Sequence, residues 1–228
     1  MKEKIYTISL TEALESKCEC ILCKIEEKVT NDAIKYYTGP AMMEPDTRIE
    51  TNRKGFCAYH YNMMLSKNTK LSVALVLQTR LGEVISLLEN ASGVKKSRFS
   101  KASRIEGVKA LLNESLSGCA ACTKIEKQMN NCYDNFVFLL NTESDFYNSF
   151  FDSNGLCLKH FMKILPFLND GDLFENLLSF QLKKLNLQKS EIDRFVLKFD
   201  YRNSDMPWDY VQDAPLRVIN TLRGKYST

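Results

Sequence analysis

The sequence predicts an all-α fold, and two observations carry this prediction. Apolar residues recur every three or four positions along several segments, which is the period of one helix face; the first such series is Ile21, Ile25, Val29 and Ala33. Glycine and proline are scarce, at nine and five among 228 residues. They leave little material for the many tight turns of an all-β fold. We therefore expect nearly all of the chain to be helical.

The helical period returns in three later segments. It runs through residues 71–88, through residues 125–140 and through Leu173, Leu177 and Leu178. A short helix is expected after Ala214, because Pro215 then falls near its first turn. The charged stretch TGPAMMEPDTRIETNRKG, residues 38–55, is predicted to be a long loop.

Composition and charge exclude several classes of function. The net charge of +3 is too small to indicate a nucleic-acid or membrane-surface partner. No uninterrupted run of about 18 apolar residues is present, as a membrane span needs. The N-terminal stretch MKEKIYTISLTEALESKCEC lacks the apolar core of a signal peptide. We therefore predict a cytoplasmic protein with no membrane and no nucleic-acid partner, in which eight reduced cysteines serve as metal ligands or reactive groups.

The strongest signal in the chain is an internal duplication. A C-x-x-C pair and a later G-x-C-x-x-H motif each occur twice, with 33 and then 34 residues between the last cysteine of the pair and the cysteine of the motif. The offset between the copies is 99 residues for the pairs and 100 for the motifs, which indicates a tandem repeat. The residues concerned are Cys20, Cys23, Cys57 and His60 in the first copy, and Cys119, Cys122, Cys157 and His160 in the second.

These residue types predict two zinc sites. Structural zinc is commonly held by four thiolate or imidazole ligands in a tetrahedron. Cys57 and His60 are one helical turn apart, so their side chains share a face, and Gly55 and Gly155 suit the turn that leads into each helix. We expect each C-x-x-C pair to join the C-x-x-H motif of its own repeat. Four protein ligands leave no open coordination position, so the sites are predicted to be structural and not catalytic.

Other interpretations of the cysteines stay open at this point. A C-x-x-C redox couple, an iron–sulfur cluster with three cysteines and one histidine, and coincidental core residues are the alternatives. Cys18 lies outside the pattern and can replace Cys20 as a ligand, whereas Cys132 is expected to be a buried helical cysteine.

The predicted organisation is two zinc-anchored helical repeats packed as one pseudo-twofold unit. The first repeat covers residues 8–91 and the second covers 105–198, with a basic, serine-rich linker over 92–104. The tail, 199–228, contains the only tryptophan, Trp208, within PWDY. It is expected to anchor the tail to the body of the protein, with a stacking surface for a ligand as the alternative.

The two C-x-x-C pairs, the stretch MEPDTRI before GFCAYH, the motif GLCLKH and the late PWDY together resemble a known family. It is a family of uncharacterised bacterial proteins, a domain of unknown function found mostly in anaerobic Gram-positive bacteria. The resemblance covers nearly the whole chain, with one departure at GFCAYH, where a proline often follows the cysteine. It implies a cytoplasmic two-repeat protein and carries no activity to transfer.

Three functions compete on the sequence. The first is a binding or scaffolding protein that has two structural zinc ions and an unknown protein or small-molecule partner. The second is a thiol-based redox or metal sensor, with Cys18 as a spare thiol. The third is a hydrolase or transferase that uses Glu44, Asp46 and Arg48 in a groove between the repeats. It ranks last and the chain is expected not to be an enzyme, because phosphate-loop, G-x-S-x-G and dinucleotide motifs are absent from the sequence.

Overall fold

The computed structural model describes residues 4–66, 69–93, 101–203, 205, 207–208 and 211–225. These residues form eleven α-helices and no strand, which confirms the predicted all-α class. Residues 94–100 of the predicted linker, and Asp209 and Tyr210 of PWDY, lie outside the described residues. The helices are α1 (Lys4–Glu15), α2 (Ile21–Thr38), α3 (Pro45–Lys54), α4 (Ala58–Ser66), α5 (Lys70–Gly93), α6 (Lys101–Ser117), α7 (Ala120–Thr142), α8 (Ser144–Phe151), α9 (Leu158–Ile164), α10 (Gly171–Leu197) and α11 (Ala214–Arg223).

The chain divides into two compact units that do not follow chain order. Unit 1 consists of residues 1–28 and 129–228, and unit 2 of residues 29–128. In unit 1, α11 packs on α9 and α10, and α1 packs on α8. Its core contains large side chains that are almost fully buried, among them Leu10, Phe136, Phe150, Ile164 and Leu177.

Unit 2 is built around α5, which contacts α3, α4 and α6. Its buried side chains include Ile34 and Tyr37 of α2, Met64 of α4, Val76 of α5 and Ala121 of α7. The predicted repeats at 8–91 and 105–198 were drawn from sequence similarity, and their boundaries stay a prediction. The pseudo-twofold packing of the repeats also stays a prediction.

The expected loop over residues 38–55 is wrong, because most of it is helical. A 3₁₀ turn over Pro40–Met43 leads into α3, which occupies Pro45–Lys54. Pro45 starts the helix and Asp46 lies in its first turn, where a negative charge suits the helix dipole. Arg53 and Lys54 lie in the last turn and Gly55 ends the helix. These end signals were present in the sequence, but the low apolar content hid them.

The apolar character of α5 also exceeds what the sequence analysis allowed. Over Lys70–Ala91 its mean hydropathy reaches 1.5, so this one helix among the described residues is long and apolar enough to cross a membrane by length and composition alone. A search for an uninterrupted apolar run missed it, because Arg80 and Glu83 divide the segment.

Candidate metal centres

All eight predicted ligands come together in the structure, in two groups of three cysteines and one histidine. Within each group the ligand atoms lie within 4.8 Å of one another, so each group can hold a metal ion. The group in unit 1, named the buried cluster, consists of Cys20, Cys23, Cys157 and His160. The group in unit 2, named the open cluster, consists of Cys57, His60, Cys119 and Cys122. The expected pairing within each repeat is therefore wrong: each C-x-x-C pair joins the C-x-x-H motif of the other repeat.

Helix lengths explain why the pairing is crossed. The pair Cys20 and Cys23 lies at the start of α2, whose 18 residues carry the chain about 27 Å away. The following α3 has 10 residues and spans about 15 Å, so this helix alone does not return the chain to that start. The same holds for Cys119 and Cys122, because α7 has 23 residues and α8 only 8. The unequal helix lengths therefore favour a C-x-x-H motif that lies away from the C-x-x-C pair preceding it in the chain.

The distances in the buried cluster match a tetrahedral metal site. His160 presents Nδ1 to the three sulfurs, at 3.6 Å from Cys20, 3.3 Å from Cys23 and 3.3 Å from Cys157. The sulfurs of Cys23 and Cys157 are 3.6 Å apart. Ligands around zinc, with bonds of about 2.0–2.3 Å, are separated by roughly 3.5 Å for sulfur to nitrogen and roughly 3.8 Å for sulfur to sulfur. The four donors therefore fit a single zinc ion.

The open cluster has the same arrangement. His60 Nδ1 lies 3.2 Å from the sulfur of Cys57, 3.3 Å from that of Cys119 and 3.4 Å from that of Cys122. The sulfurs of Cys57 and Cys122 are 3.9 Å apart. Three sulfurs and one imidazole nitrogen are a donor set that zinc accepts.

Local sequence explains how each motif presents its ligands. Gly55 and Gly155 adopt φ of 60° and 71°, a region that disfavours other residues, and so turn the chain into α4 and α9. Cys157 is the N-cap of α9, and its sulfur accepts a hydrogen bond from the His160 backbone N–H. The turn predicted at both glycines is therefore present. At Gly155 it places the Cys157 sulfur beside the backbone N–H groups at the start of α9.

A carboxylate faces the histidine of the buried cluster on the side away from the three sulfurs. His160 is fully buried, and its Nε2 lies 3.5 Å from Glu26 Oε2. Glu26 in turn accepts a hydrogen bond of 2.6 Å from Lys159 Nζ. A carboxylate on the far nitrogen fixes the orientation of a metal-binding imidazole and raises its basicity. At 3.5 Å the Nε2 contact is long for a hydrogen bond, and this Nε2 has no other partner.

The end of the described chain covers the same cluster. After α11, Gly224 turns with φ of 83°, and the Lys225 backbone N–H lies 3.5 Å from the sulfur of Cys23. Lys184 of α10 donates to the carbonyls of Glu19 and Leu156 at 3.1 and 3.2 Å. Backbone N–H groups and a nearby ammonium offset the negative charge that three thiolates bring to a divalent ion.

The open cluster is supported differently and is less covered. Cys122 is exposed and Cys57 is half-buried. Tyr37 donates to the Ala120 carbonyl, between the two cysteines of the pair, and packs its ring on Phe56. The Tyr37 hydroxyl also donates to the Glu50 carboxylate at 3.2 Å.

Arg80 of α5 ties together the two helix ends that lead into the open cluster. Its guanidinium donates to the carbonyls of Asn52 and Arg53 at the end of α3, and to the carbonyl and hydroxyl of Ser115 at the end of α6. Last-turn carbonyls lack partners inside their own helix, so a cation there stabilises both ends. Gly55 is the residue after α3, and Cys119 comes two residues after the end of α6.

The thiols of each cluster differ in acidity even without an ion. Hydrogen bonds from Cys20 and Cys23 lower the pKa of Cys157 to about 3, whereas burial raises the pKa of Cys20 well above its ordinary value. Burial opposes ionisation of Cys119, but hydrogen bonds from His60 and from backbone N–H groups outweigh it and lower its pKa to about 6. Each cluster therefore contains a thiol that is ionised at neutral pH, the form that binds metal.

The remaining candidate residues lie elsewhere. The Cys18 thiol contacts the Ala13 carbonyl at 3.5 Å and is not part of the buried cluster, and Cys132 is fully buried as predicted. Trp208 packs its ring on Phe195 and Phe199. Two cavities, of about 630 and 970 Å³, lie in unit 1 and unit 2, and neither is lined by Trp208 or by the predicted acid–base residues, Glu44, Asp46 and Arg48.

Comparison with known proteins identifies the family. The whole chain, residues 1–228, matches the model of a family described as "Family of unknown function (DUF6062)". No curated protein and no solved structure matches it. The chain therefore belongs to this family of unknown function, which confirms the resemblance seen in the sequence; the bacterial source that the resemblance implies stays a prediction.

Proposed function

We propose that this member of the DUF6062 family is a zinc-binding helical protein whose two metal ions are structural and whose role is binding or scaffolding. One observation carries the proposal: two groups of three cysteines and one histidine stand at the distances of tetrahedral zinc ligands. Thiolate and imidazole together favour zinc over magnesium or calcium. The cytoplasmic location is part of the proposal, because thiols stay reduced there.

The closed ligand sets support a structural role over a catalytic one. Each site has four protein donors, and catalytic zinc usually keeps one position for water or substrate. Each site also joins residues far apart in the chain: Cys23 and Cys157 in unit 1, and Cys57 and Cys122 in unit 2. An ion that joins such distant segments stabilises the folded state by its binding free energy.

Metal analysis and folding measurements test this proposal. We expect the protein, purified under reducing conditions, to contain about two zinc ions per chain, one for each closed site. Removal of zinc by a strong chelator should abolish helical circular dichroism, and added zinc should restore it. Substitution of His60→Ala and His160→Ala should each remove about one ion. A metal-free protein with full helicity, or iron in place of zinc, would contradict the proposal.

The exposure of the open cluster favours a second candidate, a thiol-based sensor. Cys57 and Cys122 are the least buried of the eight ligands, and their sulfurs are 3.9 Å apart. Hydrogen peroxide can oxidise this pair to a disulfide: two thiolates lose two electrons, the peroxide and two protons become two waters, and the zinc ion is released. A dithiol then reduces the disulfide so that zinc can bind again.

Release of zinc under mild oxidation separates the two candidates. A sensor loses about one ion per chain to peroxide, from the open cluster first, and regains it after reduction. The Cys18→Ser variant checks the role that the sequence assigned to Cys18, and we expect it to behave as the wild type, because Cys18 lies outside both clusters. Loss of both ions together with irreversible unfolding would leave only the structural role.

A further inference from the structure

Helix α5 carries an exposed apolar stripe that has no part in the metal clusters. The stripe has six exposed positions, and its four largest apolar side chains are 38 to 75% exposed. A contiguous apolar surface of this kind marks an interaction site. The six residues are Leu71, Ala74, Gln78, Leu81, Ile85 and Leu88.

The spacing of the stripe is that of a coiled-coil seam. Successive members are separated by three, four, three, four and three residues, the a and d positions of a heptad repeat. The face of α5 that packs inside unit 2 is a different one: it carries Val73 and Val76, which are buried, and Arg80. The helix therefore has one face in its own unit and a second face shaped for another helix.

The same contacts argue against a membrane as the occupant. A membrane-spanning helix exposes apolar side chains on all sides. In α5 the guanidinium of Arg80 is bound to carbonyls of α3 and α6, and Arg48 donates to the Leu75 carbonyl at 3.2 Å. Insertion into lipid would break these bonds and place Arg80 in hydrocarbon, at a large cost in free energy. The stripe fits a helix partner better than a bilayer.

We propose that the α5 stripes of two copies of this chain pair antiparallel about a twofold axis, so that the protein is a homodimer. The stripe is symmetric about its midpoint, since its spacing is the same in both directions. A twofold axis at that midpoint places Leu71 against Leu88 of the second copy, Ala74 against Ile85, and Gln78 against Leu81. A self-complementary surface of this type is what a twofold interface requires.

Side-chain size fits the antiparallel direction. The small Ala74 would face the larger Ile85, so large and small residues alternate across the seam. A parallel pair would instead put Ala74 against Ala74 and leave a gap there. The two Gln78 side chains would lie within about one turn of the axis, where one amide can bond the other.

Sedimentation of the zinc-loaded full chain tests the dimer. The wild type should sediment as a dimer, and the variant with Leu81→Lys and Ile85→Lys as a monomer with unchanged helical content, because dimerisation would bury four unpaired lysine charges in the apolar seam. The matched control carries Leu182→Lys and Leu187→Lys on α10, which are similarly exposed, and should stay dimeric. A monomeric wild type, or a dimer that survives the stripe substitutions, would overturn the proposal. Binding of a monomeric wild type to neutral phosphatidylcholine vesicles would assign the stripe to a membrane instead.

Cross-linking tests the direction of pairing. A photo-activated benzophenone residue in place of Leu71 should attach to the tryptic peptide of the second copy that begins at Leu81, which contains Leu88. Attachment to the peptide that begins at residue 71 would show a parallel pair and overturn the antiparallel arrangement. Mass spectrometry of the cross-linked dimer reads the result directly.

Discussion

The buried cluster and the open cluster use the same ligand types at the same spacing, but they differ in what surrounds them. In the buried cluster all four ligands are at most 8% exposed, the histidine faces Glu26, and the backbone N–H of Lys225 lies over the sulfur of Cys23. In the open cluster Cys122 is exposed and Cys57 is half-buried. The two clusters thus offer an ion the same set of donors, whereas the surroundings decide how readily water, chelators and oxidants reach it.

The contrast extends to the residue beside each glycine of the G-x-C-x-x-H motifs. A side chain added at Gly55 would meet Arg80, and one added at Gly155 would meet Phe180. The second glycine and its neighbour each lie one hundred residues after the first. Arg80 supports its unit through hydrogen bonds, whereas Phe180 packs on Phe150 and Phe151 at 5.6 and 5.0 Å between ring centroids. The position that faces the glycine is therefore occupied by a hydrogen-bonding arginine in unit 2 and by a phenylalanine of an aromatic cluster in unit 1.

The largest expected difference concerns loss of one sulfur ligand. Cys157→Ser should lower the free energy of unfolding by about 4 kcal/mol or more, because a buried site cannot recruit water as a fourth ligand. Cys57→Ser should cost about half as much, because water can reach the open cluster and take the vacant position. Chemical denaturation followed by circular dichroism, with zinc analysis of each variant, measures both. Equal losses in the two variants would show that burial does not distinguish the clusters.

The next effect concerns Arg80. The substitution Arg80→Met keeps the length of the side chain but leaves the Asn52 and Ser115 carbonyls without their donor, at a cost of about 3 kcal/mol. Because Gly55 and Cys119 follow those helix ends, zinc should leave the open cluster faster than in the wild type. Arg53→Met removes an exposed arginine of the same cavity and serves as the control. If Arg80→Met instead released zinc faster from the buried cluster than the wild type does, the role assigned to Arg80 would be contradicted.

The sequence predicted the helical class and the eight candidate ligands, since both depend on local spacing. It failed on the pairing, because the expectation joined each pair to the nearest motif and ignored helix length. A helix of 18 residues after Cys20 carries the chain about 27 Å away from Cys23, and the 10 residues of α3 can return it only part of the way. The roles of Arg80 and Glu26 could not be predicted from the sequence, since each depends on contacts between segments distant in the chain. No local pattern marks such contacts.

A smaller effect is expected from the cover over the buried cluster. Gly224 adopts φ of 83° and ψ of 161°, a region almost restricted to glycine, so Gly224→Ala should cost about 2 kcal/mol. The strain should break the contact between the Lys225 backbone N–H and the Cys23 sulfur. Chelators should then remove zinc from the buried cluster at a rate closer to that of the open cluster. Gly171→Ala is the control, because a side chain there meets nothing within 4 Å. Unchanged chelation kinetics of the buried cluster would show that the chain end does not protect it.

The smallest expected effect concerns Glu26, which faces the histidine of the buried cluster. Glu26 lies three residues after Cys23, whereas the apolar Ile125 lies three residues after Cys122. Glu26→Gln keeps the size of the side chain but removes the charge that faces His160 Nε2 and Lys159. Zinc affinity of the buried cluster should fall about tenfold, with no change in helical content.

Competition with a chromophoric chelator measures this change for each site separately. The variant with His60→Ala isolates the buried cluster, and the exposed Glu126→Gln is the matched control for loss of a carboxylate on a helix that carries ligands. The zinc affinity of the buried cluster should fall when Glu26 is replaced and not when Glu126 is replaced. Of these two carboxylates only that of Glu26 faces His160, and it makes the imidazole a stronger metal ligand. An equal fall in both variants would mean that general negative charge, and not the contact with His160, sets the difference between the clusters.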